Sequence, residues 1–83
     1  MSSDIFSYIG DKAIKGQIKE LGRNTPARVR LFEKSTGRLI SDIKSNERGE
    51  YSFHNLAAIK FIIISHHPAS QFKAVIQDNV VPK

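Results

Sequence analysis

The chain has 83 residues, with no Cys, no Trp, and thirteen Lys and Arg against eight Asp and Glu, a formal charge of +5. One domain of this length buries only about 60% of its unfolded surface, so the core is small and stability modest unless partners help. The absence of Cys excludes a disulfide staple and a thiolate metal site, and no apolar run approaches the roughly 18 residues of a membrane span.

Residues 1–12 read as an N-terminal arm or edge strand. Ile5, Phe6, Tyr8 and Ile9 are apolar, and Gly10-Asp11 stops the segment before any alternation develops. Four such side chains on a monomer form a sticky patch, which points to a partner surface. The first clear strand is expected at Ala13–Glu20, with Ile14, Gly16 and Ile18 on one face and Lys15, Gln17 and Lys19 on the other. Gly16 in mid-strand marks a bulge or a close backbone approach. Leu21–Pro26 is a loop with breakers at both ends.

Ala27–Lys34 places Val29 and Leu31 inward and Arg28, Arg30 and Phe32 outward. Lys34-Ser35-Thr36-Gly37 then forms a hairpin turn with Gly37 left-handed. Arg38–Ser45 alternates next, and Leu39, Ser41 and Ile43 make the better core face, because the other register buries Asp42 and Lys44. Ser45-Asn46-Glu47-Arg48-Gly49 is a tight polar turn, and it feeds a strand with Tyr51 and Phe53 on one face. His54–Ala58 leaves that strand as a corner, with Leu56 folding back onto the core.

Lys60–His66 is apolar on both faces, Phe61 and Ile63 against Ile62 and Ile64, which marks a central strand or one whose outer face meets something else. Pro68 stops it. Gln71–Asp78 is the last strand, with Phe72, Ala74 and Ile76 opposed to Lys73, Val75 and Gln77, and Asn79–Lys83 trails away. No segment keeps a helical period. About seven short antiparallel strands between turn residues give an all-β single domain, a β-sandwich over residues 13–83.

Chemistry is sparse. Neighbours in a strand point to opposite faces, so His66-His67 is a poor chelating pair, and no metal or cofactor is expected. Asp42, Glu47, Glu50 and Asp78 have no spacing that unites an acid and a base. Each glycine stands singly at a break, so no phosphate-cradling loop exists. Arg28, Arg30 and Phe32 are the nearest approach to a nucleic-acid groove, but one aromatic is a thin stacking platform. The scattered basic residues match solvated strand faces. An enzyme is not expected.

The pattern Ile14-x-Gly16-x-Ile18, Ala27-x-Val29-x-Leu31, Ser45-Asn46-x-x-Gly49-x-Tyr51-x-Phe53-x-x-Leu56 and Phe61-x-Ile63 resembles the carboxypeptidase regulatory-like domain. That family is similar to transthyretin in fold, which implies a Greek-key sandwich of seven strands. Asn46 stands where the family has Asp, and Ala58-Ile59 where it has Gly. The segments Leu31–Ile40 and Phe72–Pro82 resemble small structural proteins of tailed bacteriophages and prophages. This resemblance implies a non-enzymatic assembly module of a virion or tail, docked on neighbouring subunits in many copies, and carries no active residues over. The expected docking residues are Ile5, Phe6, Tyr8 and Ile9 in the arm and Val80 and Val81 near Pro82. The alternative is a module that binds glycans or a host surface. Met1–Phe6 lacks the basic-then-apolar order of a signal peptide, so the expected location is a particle assembled in the cytoplasm.

Overall fold

The structure is a computed structural model that describes residues 7–20, 22–24, 26–66 and 74–83; among these it is all-β, with no helix. The strands are β1 (Ile9–Gln17), β2 (Lys19–Glu20), β3 (Arg23–Asn24), β4 (Arg28–Glu33), β5 (Leu39–Lys44), β6 (Glu50–Leu56), β7 (Phe61–His66) and β8 (Ala74–Val80). Six of them, of six residues or more, form two antiparallel sheets: β1 with β6, and β5-β4-β7-β8 in that order. The two-residue β2 and β3 pair with each other; β2 is the end of the expected strand Ala13–Glu20, which is interrupted at Ile18, and β3 lies in the expected loop.

Period-two alternation builds the core between the sheets. Ile14, Tyr51, Phe53 and Leu56 from the smaller sheet meet Val29, Leu31, Phe61 and Ile63 from the larger. Tyr51 and Phe53 pack with ring centroids 5.8 Å apart, tilted by 59°. Leu56 breaks the alternation and still reaches the core, because Asn55 adopts φ 60 and turns the strand end inward.

The turn before β6 is held by one side chain. Asn46 Oδ1 accepts the amides of Arg48 and Glu50, both at 2.9 Å, and its carbonyl accepts that of Gly49 at 2.9 Å. Gly49 sits at φ 80, which a Cβ would make costly. Ser45, itself buried, accepts the amide of Ala27 on its hydroxyl at 2.8 Å. Gly16 lies directly opposite Tyr51, whose ring covers it, so Gly16 marks a close approach rather than a bulge.

Three expectations shift. β1 begins at Ile9 instead of Ala13, with register irregularities on both sides of Lys12, so the last four residues of the expected arm or edge strand, Ile9 to Lys12, are strand. In β5 the register slips between Leu31 and Phe32: Leu31 opposes Ser41 but Phe32 opposes Leu39. The extra residue is Ile40, which packs on the core, and Leu39 turns outward, 48% exposed. β8 runs to Val80, which packs on the core, but Ala74 to Asn79 are exposed on both faces, because the two-stranded sheet covers β4 and β7 and leaves most of β8 beyond its edge. Phe72 and Lys73 lie outside the described residues.

Candidate interaction surface

Residues directly opposite one another in an antiparallel sheet share a face. The outer face of the four-stranded sheet therefore follows from the register. Its middle row is Asp42, Arg30, Ile64 and Ile76. On one side lies the row Leu39, Phe32 and Ile62, and on the other Lys44, Arg28, His66 and Ala74. Five large apolar side chains, Leu39, Phe32, Ile62, Ile64 and Ile76, thus form a continuous stripe. Ile76 is 63% exposed, while Phe32, Ile62 and Ile64 are half-buried by their neighbours in the sheet. None of the described strands packs on this face. Contiguous apolar stripes are uncommon on the surfaces of monomers.

Charge borders the stripe. Arg28 Nε donates to Asp42 Oδ1 at 2.7 Å and Arg30 Nε to Asp42 Oδ2 at 3.2 Å. The hydrogen bond from Arg28, aided by Arg30, holds the Asp42 carboxyl below its ordinary range, and the same bond raises Arg28. At the far end Lys34 Nζ lies 2.9 Å from Asp78 Oδ1 and donates to Asn79 Oδ1 at 2.6 Å. That ammonium, with the Asn79 amide, lowers Asp78. Two arginines share one carboxylate, so the border nearest β5 keeps a positive excess.

The expected docking residues are dispersed. Ile5 and Phe6 lie outside the described residues. Tyr8 is half-buried on the core, and its carbonyl accepts the Ala57 amide at 2.8 Å; Ile9 is 50% exposed. Both line a groove between β5 and β6 with Ile40 and Ile43. Val80 packs on the core, Val81 is 45% exposed, and Pro82 is buried. Val80 and Val81 line a second groove, beside β1. β5 and β8 are opposite edges of one sheet, so the structure separates the two groups.

The outer stripe was half visible in the sequence: Ile62 and Ile64 mark β7 as apolar outward, and Phe32 stands opposite Val29 and Leu31. Their adjacency needs the β4–β7 pairing, which no local pattern carries. Glu33 was missed as well. Its alternation with Val29 and Leu31 points it inward, and it is 2% exposed, with the hydroxyls of Ser7 (3.1 Å) and Thr36 (2.8 Å) donating to its two oxygens. Among the described residues no three His, Asp or Glu gather as a metal site, His54 Nε2 lies 3.1 Å from the hydroxyl of Ser52 in its own strand, and no helix is long and apolar enough to cross a membrane. No protein-family model matches the chain, nor does any curated protein or solved structure.

Proposed function

We propose that the chain is a non-enzymatic structural module that docks on neighbouring subunits of a larger assembly, a small virion or tail protein of a bacteriophage. The carrying observation is the apolar stripe on the outer face of the four-stranded sheet. Covering a fully exposed Ile or Leu contributes about 1.5–3 kcal/mol, and half-buried members of the stripe proportionately less. Several together supply the central apolar cluster that a docking interface needs. The same proposal takes the fold to be the seven-stranded Greek key of the carboxypeptidase regulatory-like domain. Its support is the Asn46–Gly49 turn and a chain that passes from β5 to β6 and back to β7, changing sheet each time. The glycan alternative draws less support, because Tyr8 packs on the core and Phe32 sits within the aliphatic row.

Quantitative mass spectrometry of particles purified from a phage carrying the gene tests this reading. The chain is expected at a fixed copy number per particle. Ile64→Asp is expected to lower incorporation about tenfold, the factor that 1.4 kcal/mol produces, with an unchanged far-UV circular dichroism spectrum. Particles without the chain would overturn the virion assignment, and normal incorporation of Ile64→Asp would overturn the stripe as the docking face.

A further inference from the structure

A sheet edge offers unpaired amides and carbonyls to any strand that can reach it, and folded proteins blunt such edges with charge, bulges or covering chain. Three edges here are blunted. The β5 edge carries the Ile40 bulge and the charged Asp42 and Lys44. On the β1 edge, Ala13 and Lys83 exchange both backbone hydrogen bonds, at 3.1 and 2.9 Å. β6 is bent at its end by Asn55 at φ 60 and carries Glu50 and His54.

Among the described residues the β8 edge has none of these devices over Ala74–Gln77, four uncharged residues in regular register with β7. Val75 and Ile76 point to opposite faces and are 57% and 63% exposed, so both faces of the strand are open as well as its edge. The irregularity comes only afterwards, between the residues opposite Ile63 and Phe61, where Asn79 takes φ 56.

We propose that this edge pairs with β8 of a second copy, antiparallel about a two-fold axis through Ile76. Ile76 lies within the regular part, Ala74–Gln77, and Asp78 follows it. Pairing about it sets Ile76 against Ile76, Val75 against Gln77, and Ala74 against Asp78. No like charges meet in this register. A register centred on Gln77 instead places the exposed Ile76 against the Asp78 carboxylate. A two-fold axis perpendicular to the sheet keeps outer faces together, so the two stripes join through Ile64 and Ile76 into one. On the inner side, Val75 gains the stem of Gln77 as cover. Strand addition alone buries an area at the small end of specific interfaces, so dissociation is expected on the order of micromolar.

The chain has no native cysteine, so single-cysteine variants report the register directly. Directly opposed residues of an antiparallel pair lie about 4.5–5.5 Å apart at Cα, within the range a disulfide spans. Under mild oxidation Ile76→Cys is expected to give a covalent dimer. Ala74→Cys alone is not, since its symmetry mate lies about 14 Å away at a strand rise of some 3.4 Å per residue. A mixture of Ala74→Cys with Asp78→Cys is expected to yield the heterodisulfide. Sedimentation velocity of the unmodified chain should show a concentration-dependent dimer that Ile76→Lys shifts to monomer and that Leu39→Lys, on the opposite edge, leaves alone. A monomer at all concentrations, or cross-linking of Ala74→Cys equal to that of Ile76→Cys, would overturn the proposal. Neither result touches the docking of the outer face on other subunits, which the particle experiment tests separately.

Discussion

Gly16→Ala isolates the closest packing in the core. A Cβ on Gly16 would stand 2.7 Å from Tyr51 Cε2, nearer than carbon atoms tolerate, and nearer still to the rest of the phenol end. Tyr51 has little room to give: it is 8% exposed, packs against the tilted ring of Phe53 and hydrogen-bonds through its hydroxyl to Gln77 of the other sheet. Forcing a methyl group into such a site costs about 1–3 kcal/mol. Against that, replacing glycine in a strand returns about 0.5–1 kcal/mol of backbone entropy. The balance is a loss of roughly 1–2 kcal/mol. With a urea slope of about 1 kcal/mol/M for a chain this small, the midpoint should fall by about 1–2 M. The control is the same substitution in a Tyr51→Leu background. There the shorter side chain leaves space for the methyl group, and Gly16→Ala should become neutral or stabilising, so the double-mutant cycle shows coupling of opposite sign. A neutral or stabilising Gly16→Ala in the native background would refute the reasoning, because it would mean that the ring does not occupy the space above Gly16.

Tyr51 also sets an alkaline limit. Burial raises its phenol above the ordinary value near 10, with Gln77 opposing in part, so the folded state holds the proton where the unfolded state releases it. Its contribution is complete below about pH 10 and declines as pH rises further; the alkaline limb of a stability profile should flatten in Tyr51→Phe. Asp42 works at the acid end. Its carboxyl is lowered chiefly by Arg28 and then by Arg30, so its contribution is present above about pH 4 and fades as pH falls through the folded value. Carbon-detected NMR titration should place the Asp42 midpoint below the ordinary carboxylate range, and Arg28→Gln should raise it more than Arg30→Gln. Ser45→Ala leaves the Ala27 amide buried without its acceptor, an expected loss of about 1–3 kcal/mol by denaturant melts; a loss below a few tenths would mean that water takes the place of the hydroxyl.

The elements legible in the sequence are those in which burial follows strict alternation. Val29 and Leu31, Tyr51 and Phe53, and Phe61 and Ile63 were all placed correctly on the core face, and all are buried. So was Leu56, and Gly37 does take a left-handed conformation, at φ 74. The failures share a physical cause. Leu39 and Ile40 are interchangeable as hydrophobes, and a bulge one residue long reverses which of them faces the core. The expected face of β8 does not exist, because its burial depends on the width of the opposing sheet rather than on its own pattern. The candidate surface is a product of strand order: Phe32 and Ile62 are distant in sequence, and only the β4–β7 pairing makes them neighbours.

The Asn46 turn has a consequence for the time course of folding. All the hydrogen bonds of its side chain, to the amides of Arg48 and Glu50 and to the Glu50 carboxylate, close within five residues. Such a loop closes on the order of 10–100 ns, whereas β4 must wait for β7 across an intervening hairpin and a change of sheet. Non-local pairings of that kind set folding times of milliseconds to seconds. The turn can thus be formed in the transition state at little entropic cost, and it aims β6 away from β5 and towards the other layer. Damage at Asn46 should then lengthen the wait to fold far more than it shortens the life of the folded molecule.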